Sequence, residues 1–221
     1  ERDGDALVLP TEHLRTLLDR ARELFPNLRR ASCYAMARNV LAKSPAELRA
    51  LRVAGLSLLY VGPESGDDLT LKSIAKGDDA AAHVEAATRA HEAGMGLSVI
   101  GLLGIGGDRW EAHAKATGEL VTAMNPSYFS ALTVTVVPGT PLAKLASKGR
   151  FAVPPVPDLL RELRLMVEHA SPTSCVFRTN HASNYLPLGG SLPVDKARIL
   201  RTIDRALAGD VPLRPEAFRG L

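Results

Sequence analysis

Cysteine is scarce in this chain. Only Cys33 and Cys175 occur among 221 residues, far apart and outside any CxxC pair. That excludes a secreted disulfide scaffold and a metal site built on local cysteine pairs. Each is either a buried thiol or one half of a single bridge. Aromatic residues make up 5%, and no basic run is interleaved with them, so the stacking and phosphate-contact pattern of nucleic-acid binders is missing. No apolar run is long enough to span a bilayer, and no signal-peptide pattern is present. No repeat or low-complexity segment occurs. The six histidines form no HExxH-type ligand spacing, and His13, His83, His91, His113 and His169 are expected on the surfaces of helices. A net charge of +3 with 46% hydrophobic and 23% charged residues is an ordinary globular balance. A cytoplasmic protein with no membrane or nucleic-acid partner is expected.

What is present is an alternation. Thr11 opens a helix with Leu14, Leu17, Leu18, Ala21 and Leu24 at helical spacing. Residues 29–36 suggest a short strand. Ser44-Pro45-Ala46-Glu47 is a capping box with proline at the first helical position. Leu56–Gly62 then reads as a buried strand, 69–74 as a short helix closed by Gly77, and 78–94 as a longer one. Gly96–Ile105 is an apolar strand, 109–124 a helix, 128–137 a strand, 157–169 a helix, 174–178 a strand and 195–208 a final helix. The tail after Gly209 reads as an arm. Strands that are continuous apolar runs, alternating with helices, predict a parallel sheet covered by helices. Four or five strands fit the length, too few for a complete eight-stranded barrel. The proline-rich stretch 153–157 divides the chain, so residues 1–152 are expected to form a partial barrel and 153–221 a strand-and-helix extension packed on it.

Ligands bind at the carboxyl ends of parallel strands, and every strand exit here carries something polar or glycine-rich. Glu64, in Gly62-Pro63-Glu64-Ser65-Gly66, either caps the next helix or contacts a ligand. Asp3-Gly4-Asp5 supplies turn residues or ligands. Arg38 is a surface charge or a partner for an anion, and Cys33 reads as a core thiol. Gly101, Gly104, Gly106 and Gly107 allow a backbone to approach a flat ring or phosphate, but they do not form the GxGxxG dinucleotide fingerprint. Asn180-His181-x-x-Asn184-Tyr185 is a solvated loop or a polar cluster that needs partners.

Taken in order, these motifs resemble the radical S-adenosylmethionine (SAM) enzymes, in the coproporphyrinogen-dehydrogenase-like and methylthiotransferase-like branch. The resemblance rests on Gly62-x-Glu64-Ser65-Gly66 with Lys72-x-Ile74-x-Lys76-Gly77, on Gly101–Gly107, and on Val137-Pro138-Gly139-Thr140-Pro141-Leu142. It implies a partial (β/α) barrel, an open parallel sheet flanked by helices and missing the first strand–helix unit. It also implies that SAM is cleaved at a [4Fe–4S] cluster, giving a 5′-deoxyadenosyl radical that acts on an unknown substrate with an electron donor as partner. Asp3, Gly4 and Asp5 would then hold the SAM amino group and Arg38 its carboxylate. Glu64 and Ser65 would lie near its ribose or methionine part, and Gly101, Gly104, Val137 and Pro138 would flank adenine. Tyr34, Arg178, Asn180, His181 and Asn184 would face the substrate. The family's cluster-binding CxxxCxxC motif is not in this sequence, and Gly107 stands where the family usually has an acidic residue. The expectation is therefore a piece of a longer protein whose cysteine loop precedes Glu1. The alternatives are a cluster-free module that binds SAM or a nucleoside, or an inactive barrel fragment.

Overall fold

Helix-forming and strand-forming segments alternate along the chain, and the strands line up in chain order. The computed structural model describes residues 5–220. Six strands form one sheet in the order β1-β2-β3-β4-β5-β6: Ala31–Tyr34, Leu56–Glu64, Gly96–Leu103, Tyr128–Thr133, Cys175–Arg178 and Gly189–Leu192. The first five are mutually parallel and β6 runs antiparallel to β5. The sheet does not close on itself, so β1 and β6 are its edges.

The connecting helices are α1 (Thr11–Leu24), α2 (Ala37–Leu41), α3 (Pro45–Val53), α4 (Asp68–Ser73), α5 (Ala80–Glu92), α6 (Trp110–Met124), α7 (Pro141–Ser147), α8 (Val156–His169) and α9 (Lys196–Leu207). The capping box forms as the sequence predicts: the Glu47 amide donates to Ser44 Oγ at 3.2 Å, and the Ser44 amide donates to Glu47 Oε2 at 2.8 Å. α8 presents Leu159, Leu160, Leu163, Met166 and Val167 as one buried stripe. Each such side chain contributes about 1.5–3 kcal/mol on burial, enough to fix the helix against the sheet.

The two faces of the sheet differ, and this asymmetry positions the site. Along β2, Leu59, Val61 and Pro63 are buried, while Tyr60, Gly62 and Glu64 between them are half-exposed. Along β4, Phe129, Ala131 and Thr133 are buried and Tyr128, Ser130 and Leu132 are not. Side chains alternate across a strand, so one face is sealed by helices and the other, the inner face, stays partly open.

Several expectations are corrected. The sheet has six strands, one more than the longest expectation, and its last pair is antiparallel. A ten-residue loop joins β5 to β6, which no tight-turn dipeptide announces. β2 extends to Glu64, and β4 stops at Thr133 instead of Val137. The 137–141 break is followed by α7, capped by Thr140 Oγ1, which accepts the Ala143 amide at 3.2 Å. Of the five histidines expected on the surface, His83 and His113 are buried at 1% and 0% exposure. Both lie on the apolar stripe of their helix, so the helical period that buries Ala87 and Thr117 buries them too.

Candidate functional site at the strand ends

Glu64 ends up on the inner face because of a local defect in the ladder. Val61 pairs with Val99 and Glu64 with Gly101, so β2 carries one residue more than β3. Such a bulge re-aims the side chains that follow it. Pro63, with no amide hydrogen to donate, sits inside it. Glu64 has φ of 68°, a left-handed conformation that costs a non-glycine residue about 1–3 kcal/mol. Its carboxylate folds back over Gly62, where a Cβ would lie 2.6 Å from Glu64 Oε1. Glycine at 62 is therefore what leaves room for the carboxylate. Glu64 does not cap α4: Asp67 does, accepting the Thr70 amide at 2.9 Å. Arg109 grips the same Asp67 with two bonds of 2.8 and 2.9 Å, which hold that carboxyl well below the usual carboxylate range.

The turn at residues 76–78 brings charge to the same place. Lys76 Nζ donates to Glu64 Oε1 at 3.2 Å. Arg38, just beyond β1, donates to the Lys76 carbonyl at 2.9 Å and pairs with Asp78 at 3.1 Å. Alternating charges thus run from Glu64 through Lys76 and Asp78 to Arg38. Glu64, Lys76 and Asp78 border a cavity of about 150 Å³ whose lining includes Tyr34, Tyr60, Ile100 and His83. The rings of Tyr34 and Tyr60 lie 5.3 Å apart. Among the described residues His83 has no hydrogen-bond partner at either ring nitrogen, and burial pushes its pKa down to about 4. It is a neutral imidazole with a donor and an acceptor to offer.

The other sequence-derived residues fall in different places. Asp3 and Gly4 lie outside the described residues. Asp5 is hydrogen-bonded to Asn39 of α2, beside the β1 exit. Ser65 is fully buried on the helix side, with its Oγ 2.7 Å from His113 Nδ1. A Cβ on Gly101 would meet Phe129, Thr117 and Met166, so the absence of a side chain there admits the helix layer. The Gly104 amide donates to Glu162 on α8 at 2.8 Å. Val137 and Pro138 are exposed beyond β4. Tyr34 and Arg178 project from exposed positions on the inner face, and Asn180 and His181 are exposed after β5. Asn184 is buried, its amide committed to Thr133 Oγ1 and to the carbonyls of Ala131 and Thr179. It fastens the 180–185 loop to β4. Cys33 and Cys175 are free thiols. Burial pushes them up to about 11 and about 12, Asp5 adding to the effect at Cys33. Among the described residues, no group of three His, Cys, Asp or Glu side chains could hold a metal ion.

Lys76, Asp78, His83, Tyr60 and Glu162 were not singled out as site residues by sequence. Signals for two of them exist: Glu162 interrupts the Leu159–Leu163–Met166 stripe, and His83 leads the stripe of α5. A polar residue at a core position of a helix is worth marking.

No protein-family model and no curated protein sequence matches the chain. Solved structures do. Archaeal Elp3 from Methanocaldococcus infernus, lacking its residues 1–46, matches with a TM-score of 0.59 at 14% identity over 72% of this chain and 42% of its own. Coproporphyrinogen III oxidase (HemN) from Escherichia coli, a radical SAM enzyme, matches with a TM-score of 0.57 at 18% identity over 75% and 38%. Methylornithine synthase (PylB) matches with a TM-score of 0.52 at 18% identity over 72% and 44%. The chain spans less than half the length of each. At these identities the likeness is one of fold: the open, mostly parallel sheet of this chain has the partial-barrel fold of the matching part of these structures, of which HemN is a radical SAM enzyme.

Proposed function

We propose that the inner face at the strand ends binds SAM, and that the chain is the SAM-holding part of a radical SAM enzyme. The observation that carries the reading is the Glu64–Lys76 pair, set by a bulge on the half-exposed face of this fold beside two tyrosine rings. SAM presents an ammonium, a carboxylate, two ribose hydroxyls and an adenine ring. Glu64 accepts from the hydroxyls or the ammonium. Lys76 and Arg38 supply cations for the carboxylate. Tyr34, Tyr60 and Ile100 offer flat and apolar surface to the base. His83 contributes one donor and one acceptor, whichever tautomer it adopts.

Beside a reduced [4Fe–4S] cluster, bound SAM supplies one-electron hydrogen-abstraction chemistry. The residues of this chain do not fit that cluster. Cys175 is buried on the helix side of β5, and Cys33 is alone on β1. In this reading the cluster's ligands and the electron donor come from outside this sequence. The same observation supports a second reading, that the chain holds SAM without turning it over.

Calorimetry of the folded chain with SAM tests the reading. Saturable heat is expected from the wild type, with affinity weakened about tenfold or more in Glu64→Gln, which keeps the shape and removes the charge. Absence of heat with a folded wild-type sample contradicts it. The two readings separate in a longer protein that joins this chain to the cluster ligands: with reductant and a reconstituted cluster, SAM is consumed only if the first reading holds.

A further inference from the structure

We infer that the crevice between the start of α6, the connector at residues 149–155 and the start of α8 is a binding site for an organic primary ammonium ion. It is a cavity of about 600 Å³, within the range that small-molecule sites occupy. Its lining comes from the helix layer and not from the inner face, so it is distinct from the proposed SAM site.

The anchor is Glu162. It lines the crevice and is 1% exposed. Its Oε1 accepts the Gly104 amide at 2.8 Å and lies 3.1 Å from His113 Nε2. Its Oε2 is buried with no hydrogen-bond partner among the described residues. Ser65 Oγ accepts the Asp67 amide at 3.0 Å and lies 2.7 Å from His113 Nδ1. The Gly104 amide is spent on Oε1, and His113 Nε2, though 3.1 Å from Oε1, makes no hydrogen bond among the described residues. A buried carboxylate oxygen left without a donor is costly, and a ligand N–H brought into the crevice removes that cost.

The walls select the class of ligand. Half-buried Trp110 and Phe151 also line the crevice, and aromatic faces attract organic cations. Three lining carboxylates, Asp108, Asp158 and Glu162, stand against the single guanidinium of Arg150. Asp158 is held by Arg161 at 2.5 Å, which leaves Asp108 at the rim and Glu162 within as the groups that favour a cation. A primary ammonium combines the charge with the N–H that Oε2 lacks. An apolar ring or chain beyond it matches the aromatic walls.

Trp110 is the only tryptophan in the chain, so its fluorescence reports on the crevice directly. Wild-type protein is titrated at neutral pH and fixed ionic strength with benzylamine, benzyl alcohol and benzoate. Benzylamine is expected to change the emission saturably and to bind about tenfold tighter than the neutral alcohol or the anion. Glu162→Gln is expected to weaken benzylamine by a similar factor. If that variant does not fold, the three-ligand comparison on the wild type decides alone. No saturable change with benzylamine, or equal or tighter binding of benzyl alcohol or benzoate, overturns the inference.

Discussion

Lys76 Nζ meets Glu64 Oε1 at 3.2 Å, closing a span of twelve residues across the exit of β2. Both side chains are about a quarter exposed, so water screens the pair and its contribution to stability is about 1 kcal/mol or less. Lys76→Met is expected to lower Tm by no more than about 2–4 °C, measured by thermal unfolding, while weakening SAM in calorimetry far more than that small change in stability suggests. A large loss of stability with unchanged SAM binding would show that the pair is structural.

His83 makes stability depend on acid. Its native pKa of about 4 lies below the roughly 6.5 of an unfolded histidine. As pH falls below 6.5 the unfolded chain takes up a proton that the native protein refuses, so stability drops until pH 4 and then levels. Urea unfolding at pH 7.5 and 4.5 is expected to show the wild type losing on the order of 2–3 kcal/mol more than His83→Gln. Parallel losses in the two proteins would place a partner on the imidazole.

Gly66 meets α6 so closely that a Cβ would lie 2.1 Å from the Ala116 carbonyl oxygen. Gly66→Ala is expected to force the helix outward and to destabilise by about 3 kcal/mol or more. At Gly101 the nearest atoms to a Cβ are side-chain carbons at 3.3 Å, so Gly101→Ala is expected to cost about 1 kcal/mol. Chemical denaturation of the two variants checks the order.

The two thiols stay protonated near neutral pH, because burial raises Cys33 to about 11 and Cys175 to about 12. Since the thiolate is the reactive form, a disulfide reagent at pH 7.5 is expected to modify both slowly in the native protein and fast in denaturant. Rapid reaction of either in the native state would indicate that its cover opens readily.

The parallel sheet was legible because β2, β3 and β4 are apolar runs separated by helical periods, and the capping box at Ser44 announced α3. β6 was not legible: Gly189, Gly190 and Ser191 carry no strand propensity, and only pairing with β5 makes them a strand. Glu64 was visible as a carboxylate at a strand exit, but its choice between cap and cleft was not. That choice depends on the bulge at Pro63 and on Asp67 taking the cap, both consequences of tertiary pairing. Glu162 and His113 were hidden for a related reason, since hydrophobic periodicity assigns burial without saying which buried polar groups find partners.

The measurement that bears most directly on the SAM site is an NMR titration of the assigned chain with SAM. The expected result is that Tyr34, Tyr60, Glu64, Lys76 and Ile100 shift together while Leu97, Val99 and Phe129, on the helix side of the same sheet, stay unmoved. Shifts clustered on the helix side, or no shifts with SAM in excess over folded protein, would contradict a SAM site at the strand ends.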